Sequence, residues 1–317
     1  MSMEIQYWPI NQELKKEAEE NYRTNFALSL KDKDPLSIIR ELTFDGVTPE
    51  MTVEKIERLF DYVERNFLKK PIAGVGVEVG AGPLTFSSIL AKRSGIQKMY
   101  GVEICQPIVE TLFPKVSQYV LNGNSDKVVG VVGSFDEMQL PDNSVDFVFD
   151  FFSLHHSLDI AVTIKELHRV LKPGGFVLCF DKARPNRYTD AELDELLDSV
   201  YGSSYNKQFG LSPDVRMTRR LNGEREYRLN DWKTTFLGAG FTKFDDAYLA
   251  RTIGGTNVAH VIKKVIAFFP PLLQRVVNPL LPQPRFSHKF ILESHNRNFT
   301  PPVDSFAKEI SLMVAYK

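Results

Sequence analysis

The sequence predicts an α/β fold with a mostly parallel sheet, because short apolar runs alternate with stretches of helical periodicity. The helical stretches carry boundary signals, such as Pro107 at one start and Gly95 at one end. Strands that alternate with helices at this spacing are joined by right-handed crossovers, and their ligands bind at the carboxyl ends. The predicted strands are 75–79, 99–103, 128–132, 145–150 and 176–180, and the helices between them include 84–94 and one from Asp159.

The first crossover is the most informative part of the chain. Its apolar strand ends in Gly80-Ala81-Gly82, and Pro83 follows, which is tolerated at a first helical position because no amide donor is needed there. The glycines allow close approach of a ligand to the backbone, and helix amides attract a carboxylate or phosphate. Glu103 ends the next strand about 20 residues later, where a carboxylate can accept both hydroxyls of a ribose. By itself, the glycine turn fits a plain strand-turn-helix equally well.

Five motifs follow one another along the chain: Glu78 to Gly82, Glu103, Gly133 to Asp146, Leu154-His155-His156 and Arg169 to Gly175. In this order they resemble the class I S-adenosylmethionine-dependent methyltransferases, with the small-molecule group as the closest. The resemblance covers residues 72–181, and the chain outside it carries no comparable match. It implies a Rossmann-like, seven-stranded sheet with helices on both faces, whose last strand is antiparallel between strands five and six.

The resemblance divides the chain into three segments. Residues 1–70 form a helical N-terminal cap, with helices at 11–30 and 48–70. Residues 71–181 form the S-adenosylmethionine-binding Rossmann-like core. Residues 182–317 form a substrate lid and insertions, together with the last two core strands at about 241–249 and 310–316. The cap aromatics Tyr7, Trp8 and Tyr22 either line the pocket or belong to the core.

The cofactor implied by the resemblance is S-adenosyl-L-methionine, and its methionyl and ribose part lies on the turn Gly80, Ala81 and Gly82. Glu78, beneath the turn, is expected to organise it and the ammonium group. Glu103 is expected to accept the ribose hydroxyls, with Ile104 beside it.

Four further cofactor contacts follow from the same resemblance. Asp150 and Phe151, at the end of the fourth strand, are expected to flank the ammonium and methyl groups. Ser134 and Phe135 are expected near the adenine, although the family usually has an aspartate and a small residue there. A serine makes a weaker hydrogen bond to an exocyclic amine than a carboxylate does.

His155 and His156 are the candidate catalytic residues. Methyl transfer is an in-line displacement, and an oxygen or nitrogen acceptor must also lose a proton, which an imidazole can take in the physiological pH range. One of the two histidines is expected to be this base or a donor that orients the acceptor. The alternative is that the pair only packs its loop and caps the helix that starts at Asp159. The spacing of His, Cys, Asp and Glu predicts no metal site.

Other readings of the same fold are less well supported. A dinucleotide oxidoreductase would need glycine where Thr85 stands, and an enzyme that methylates bases or glutamine would need prolines after Asp150. A net charge of −1 argues against a nucleic-acid partner. A catalytically silent binding or assembly subunit with this fold remains open, as does a lipid-linked or membrane-associated acceptor.

The flanks set the acceptor. Residues 182–235 are rich in arginine and tyrosine, which either suits an anionic or sugar-like acceptor or is a solvated surface. An insertion at 250–309 includes an apolar stretch at 254–282, which either packs on the protein itself, forms a homodimer or makes a peripheral membrane contact.

Composition agrees with a cytoplasmic enzyme. With 317 residues, 43% hydrophobic and 25% charged, the chain can bury one large core and an added lobe. The two cysteines, Cys105 and Cys179, are expected to be buried thiols. Neither a signal-peptide pattern nor an apolar run of about 18 residues is found. The sequence thus predicts a cytoplasmic methyltransferase for a small-molecule acceptor, at oxygen rather than nitrogen or carbon.

Overall fold

A computed structural model describes residues 3–43, 52–253, 273, 284–289 and 309–317, which contain one sheet of nine strands flanked by helices. Short helical turns at Ile39–Thr43 and Glu64–Leu68 continue α3 and α4. In chain order the elements are β1 (Glu4–Tyr7), α1 (Gln12–Glu20), α2 (Tyr22–Ser29), α3 (Pro35–Ile38), α4 (Val53–Val63), β2 (Gly74–Val79), α5 (Thr85–Ala91), β3 (Ile96–Glu103), α6 (Gln106–Thr111), α7 (Phe113–Val120), β4 (Val128–Val132), β5 (Val145–Phe151), α8 (Ile160–Val170), β6 (Leu171–Asp181), α9 (Asp190–Asp198), α10 (Ser203–Gln208), α11 (Leu229–Gly238), β7 (Lys243–Ile253), β8 (Pro284–Lys289) and β9 (Glu309–Tyr316).

The strand order is β1-β4-β3-β2-β5-β6-β9-β7-β8. All neighbours from β1 to β6 are parallel, and β9 is antiparallel to both β6 and β7. The predicted α/β class and the position of the last strand are therefore confirmed. The expected number of seven strands is wrong, because β1 and β8 extend the two edges of the sheet. With four residues, β1 is too short for its alternation to be recognised in the sequence.

Helices cover both faces of the parallel strands. Helices α4 to α7 pack on one face, and α8 and α11 pack on the other. β4 shows how one strand serves both faces: Val128 and Val132 join the first core cluster, whereas Val129 and Val131 join the second. Burial on both sides explains why these strands read as continuous apolar runs.

The N-terminal segment differs from its prediction in two ways. The helix expected at 11–30 is two helices, because Asn21 between them has extended backbone (φ −64°, ψ 137°) and its side chain caps α2. The helix expected from residue 48 begins at Val53, after Thr52 caps it, and residues 48–51 lie outside the described ranges. Val53, Ile56, Phe60 and Val63, which the sequence places on one apolar stripe, are buried in α4, and Leu59 is buried with them.

The apolar stretch 254–282 lies outside the described residues, apart from Leu273. None of the helices in the described ranges is both long and apolar enough to cross a lipid bilayer.

Candidate cofactor and acceptor site

The carboxyl ends of β2 to β6 meet along one edge of the sheet, and the predicted site residues gather there. This follows from parallel topology, in which every strand end lies on the same side. We call the ends of β2, β3 and β4 the cofactor side and the ends of β5 and β6 the acceptor side, after the ligands that the sequence predicts there.

The glycine turn after β2 has φ values of +62° at Gly80 and +50° at Gly82. A Cβ on Gly80 would lie 2.3 Å from the Ser153 hydroxyl oxygen, which donates to the Gly80 carbonyl at 3.1 Å. A Cβ on Gly82 would meet no atom of the described residues within 4 Å. Gly80 is therefore required by packing inside the protein, whereas Gly82 faces open space that a ligand can fill.

Glu103 lies directly against this turn. One carboxylate oxygen accepts from the Gly82 amide at 3.1 Å, and the other accepts from the Cys105 amide at 3.1 Å. Burial raises the pKa of Glu103 above its usual value. Ile104 follows, half-buried. An open glycine turn beside a carboxylate fits the ribose of a nucleoside cofactor, because hydroxyl donors find their acceptor there.

Glu78 lies inside the protein, with 2% of its surface exposed. Its carboxylate accepts from the Ser87 amide in α5 at 2.6 Å, and burial raises its pKa to about 8. Ala81, also buried, donates its amide to Val102 at 2.9 Å. Both contacts tie the turn to the core, so the organising role predicted for Glu78 has a structural basis in the protein itself.

Ser134 and Phe135 follow the end of β4. The Ser134 hydroxyl accepts from the Asp136 amide at 3.1 Å, and Phe135 packs against the core cluster under α8. Trp8, at the end of β1, donates its amide to Val132 at 2.8 Å. Beside it lies a depression of about 250 Å³ lined by Tyr7, Trp8 and Lys15. Two of the three cap aromatics are thus found at this end of the sheet.

Asp150 is completely buried at the end of β5. One oxygen accepts from the Ser153 and Leu154 amides at 3.1 and 2.9 Å, and the other accepts from the Cys179 thiol at 3.1 Å. Phe151 is half-buried, with its ring centroid 4.6 Å from that of Phe86. Asp150 therefore shapes the loop that leads to the histidines, and its predicted contact to the cofactor's ammonium group stays a prediction.

His155 and His156 lie in a short helical turn after this loop. Nδ1 of His155 is 2.6 Å from an Asp181 carboxylate oxygen, and its backbone amide donates to the other at 3.1 Å. Nδ1 of His156 is 3.1 Å from the Gly223 carbonyl oxygen. Burial lowers the pKa of both imidazoles well below the usual value. Asp181 was missed in the sequence, where its only signal is an acid at the end of a predicted apolar strand.

The lid over the histidines is not a free basic surface. Lys182 and Arg219 both bind Glu224, at 2.7 and 3.0 Å, and Arg184 binds Glu226 at 2.6 and 2.7 Å. These carboxylates were not recognised in the sequence. Because they neutralise the cations, arginine content alone does not indicate an anionic acceptor.

The N-terminal cap joins this lid through Tyr22. Its hydroxyl donates to Asn222 at 2.5 Å and is also hydrogen-bonded to Tyr205. Tyr201, stacked on Tyr205 with centroids 4.0 Å apart, donates to Glu224. The acceptor side is therefore closed by three segments of the chain that are distant in sequence.

One buried cluster joins groups that sequence spacing does not relate. The potential ligand atoms of Asp150, Cys179 and Asp181 lie within 4.8 Å of one another. Burial raises the pKa of the Cys179 thiol, which keeps its proton and donates to Asp150. Cys179 and Asp150 are thus joined by a hydrogen bond, whereas the oxygens of Asp181 are bonded to His155 and to the Lys182 amide. Both Cys105 and Cys179 are free and buried, as predicted.

In its fold and in the arrangement of the cofactor side, this part of the chain resembles the class I S-adenosylmethionine-dependent methyltransferases. Residues 77–179 match the family described as "Methyltransferase domain", so the resemblance seen in the sequence is confirmed over this segment. S-adenosylmethionine is the cofactor of this class, and the open turn at Gly82 beside Glu103 fits it.

Known proteins resemble this chain over parts of its length. The demethylmenaquinone methyltransferases of Geobacillus stearothermophilus and Listeria monocytogenes are 29% and 30% identical to it over 118 and 111 residues. These stretches are 37% and 35% of this chain and 49% and 45% of the relatives, so the chain spans about half the length of the curated relatives it matches. The solved YcgJ protein of Bacillus subtilis has a TM-score of 0.46 at 17% identity, covering 84% of this chain and 97% of its own.

Proposed function

We propose that this protein transfers a methyl group from S-adenosylmethionine to an oxygen atom of a small-molecule acceptor. The observation that carries the proposal is the open face of Gly82 beside the Glu103 carboxylate, within a segment that matches the methyltransferase family. The acceptor side, with its buried imidazole, lies at the neighbouring strand ends of the same sheet edge.

The cofactor side acts by binding. Gly82 leaves room for the ligand, and Glu103 is placed to accept its ribose hydroxyls. Glu78 holds the turn from below through Ser87. S-adenosylmethionine, when bound, supplies a methyl group activated by a positively charged sulfur, which leaves as a neutral thioether. Because the donor is already activated, the protein contributes mainly orientation and the exclusion of water.

The acceptor side has to provide a group that takes the proton of the acceptor. A hydroxyl acceptor must lose its proton during transfer, and general-base assistance contributes about 10²- to 10⁴-fold. His155 is neutral because burial lowers its pKa, and no described residue hydrogen-bonds its Nε2. Nε2 is therefore ready to take that proton. Phe151 and Phe152 form the apolar wall of the same loop.

Two measurements test the proposal. Titration calorimetry with S-adenosylmethionine and S-adenosylhomocysteine should show binding, and absence of micromolar binding would remove the cofactor assignment. Turnover is then followed as S-adenosylhomocysteine release with phenols, carboxylic acids, amines and reduced naphthoquinones, since the relatives are named for demethylmenaquinone. Binding without turnover on any of these would favour a silent binding subunit.

The acceptor atom is read from the product. With a ¹³C-labelled methyl donor, carbon NMR of the product separates methyl groups on oxygen, nitrogen and carbon. The proposal expects oxygen, because a positioned neutral base is needed to remove a hydroxyl proton. A methyl group on carbon or nitrogen would keep the methyltransferase assignment and correct the acceptor atom.

A further inference from the structure

We infer that Asp181 is a positioning residue for methyl transfer, which holds His155 in the tautomer whose Nε2 can take the acceptor's proton. The inference rests on the function proposed above. It concerns a residue outside the predicted site, at the end of the strand next to the one that carries the histidines.

The geometry of the pair is specific. Asp181 is completely buried, and both of its oxygens receive donors from the histidine turn and from its own strand end. One oxygen lies 2.6 Å from His155 Nδ1 and 2.6 Å from the Lys182 amide, and the other accepts from the His155 amide at 3.1 Å. Burial raises the pKa of Asp181 to about 6, so at pH values above this the carboxylate is mainly ionised and can only accept. The proton on a neutral His155 is then at Nδ1. Nε2 is then left with its lone pair.

Two buried carboxylates hold the histidine loop from opposite ends. Asp150 accepts from the amides of Ser153 and Leu154, which start the turn, and Asp181 accepts from His155 itself. The two acids close the adjacent parallel strands β5 and β6. Because the strands are fixed by the sheet, the imidazole is fixed relative to the glycine turn, which β2 carries next to β5.

His156 differs from His155 in the group that fixes it. Its Nδ1 lies 3.1 Å from the carbonyl oxygen of Gly223, a neutral acceptor in the lid. A carbonyl can select the same tautomer but offers no charge to stabilise an imidazolium, whereas a carboxylate offers both. The structure therefore assigns the base role to His155 and not to its neighbour.

The charges around His155 come from four parts of the chain. Lys182 follows β6, Glu224 and Glu226 belong to the lid, and Arg23 lies in α2. The His156 ring lies beside that of His155, with centroids 4.2 Å apart and an angle of 39° between the ring planes. Lys182 is neutralised by Glu224 at 2.7 Å. Asp181 is the acid in direct contact with the imidazole, so it is the group that stabilises the protonated ring most directly.

The proton balance is then complete. The acceptor's hydroxyl oxygen forms the new bond to the methyl carbon while the carbon–sulfur bond breaks, and its proton passes to His155 Nε2. The resulting imidazolium keeps the proton on Nδ1, which is hydrogen-bonded to Asp181. The proton on Nε2 returns to solvent after the product leaves. Neutral acceptor and sulfonium donor thus give neutral products and one proton.

The first test is Asp181→Asn. An amide at this position can donate to Nδ1 and favour the opposite tautomer, with the proton on Nε2. We expect kcat to fall about 100-fold or more, as for loss of a general base, with unchanged affinity for S-adenosylhomocysteine. The rate of the variant should still rise with pH, but the midpoint of this rise should lie at a lower pH than in the wild type. The reason is that loss of the negative charge destabilises the imidazolium. If Asp181 had only a structural role, the variant would lose stability but its rate would rise at the same pH as in the wild type.

Asp146→Asn is the matched control. Asp146 accepts from the Val75 amide at 2.8 Å and pairs with Lys172 at 2.9 Å, but it lies near the start of β5, at the opposite edge of the sheet. The Asp146→Asn variant should lose some stability but keep the kcat and the pH profile of the wild type. Wild-type kcat and pH profile in Asp181→Asn would overturn the inference.

A second measurement is made on the wild type and does not depend on folding of Asp181→Asn. Nitrogen-15 NMR of the wild-type histidine side chains reports which ring nitrogen carries the proton, and His155→Asn identifies the signal. A proton on Nδ1 supports the inference, and a proton on Nε2 overturns it. Failure of the proposed function looks different: wild-type protein would neither bind S-adenosylhomocysteine nor methylate any acceptor tested, and the positioning role would fall with it.

Discussion

The cofactor side and the acceptor side of the site differ in the parts of the chain that form them. On the cofactor side, the surface that we propose binds the cofactor consists of the backbone of one short turn and the acid that ends the next strand. On the acceptor side, side chains from the cap, the core and the lid meet in one buried polar network around Glu224. The first is set by residues close together along the chain, whereas the second depends on residues as far apart as Tyr22 and Asn222.

The sharpest test of this contrast is Gly82→Leu, which places a side chain in the open space above the turn. The variant should lose measurable affinity for S-adenosylhomocysteine in calorimetry, because the ligand and the side chain compete for the same volume. Gly82 has φ +50°, so the substitution should also cost about 1–2 kcal/mol of stability.

Gly123→Leu is the control for that strain. Gly123 has φ +86°, and a Cβ there would likewise meet no atom of the described residues within 4 Å, but it lies after α7, away from the strand ends that carry the site. It should show a similar loss of stability with unchanged cofactor affinity. Equal affinity in the two variants would mean that the ligand does not lie over the glycine turn.

The next largest effect is expected for Glu103→Ala. Loss of a charged acceptor for the ribose hydroxyls should weaken S-adenosylhomocysteine binding by about 1–3 kcal/mol. Glu137→Ala removes the same charge from an exposed position and should leave affinity unchanged. If calorimetry gives the same Kd for Glu103→Ala and wild type, Glu103 serves only to hold the turn through the Gly82 amide.

These differences explain what the sequence could predict. The strand ends, the glycine turn and Glu103 are set by patterns within a few residues, and the structure places them at one edge of the sheet. Asp181 and Glu224 could not be identified, because neither their burial nor their partners follow from local sequence. The added strand β1 was missed for the same reason: its partner β4 lies more than 100 residues away.

Even at the strand ends, residue type alone does not show what a residue contacts. Asp150 is predicted to touch the cofactor, and the structure shows that its oxygens accept hydrogen bonds from the histidine loop and from Cys179. Gly80 is predicted to let a ligand approach the backbone, and the structure shows Ser153 packed against it. A motif fixes which residues stand near a site, and only the packing shows which of them face it.

Glu78 gives a prediction of stability against pH. Burial raises its pKa to about 8, so the folded protein holds a proton that the unfolded chain releases near its ordinary value of 4.5. The free energy of unfolding should therefore fall as pH rises between these values, by at most about 1.4 kcal/mol per pH unit. Glu78→Gln keeps an acceptor for the Ser87 amide but cannot ionise, so this decline should flatten in urea unfolding. Glu137→Gln, at an exposed position, should keep the wild-type slope.

The smallest effect is expected on the acceptor side, for Tyr22→Phe. The change removes the hydroxyl that joins the cap to Asn222, a residue only 3% exposed, and leaves the aromatic packing against Phe209 in place. Loss of this buried hydrogen bond should cost about 1 kcal/mol of stability and lower kcat/KM for the acceptor about 5-fold, with unchanged S-adenosylhomocysteine affinity. Tyr119→Phe, at a residue 44% exposed, should change none of the three quantities. A weaker cofactor affinity in Tyr22→Phe with unchanged acceptor kinetics would show that the cap closes over the cofactor side and not over the acceptor side.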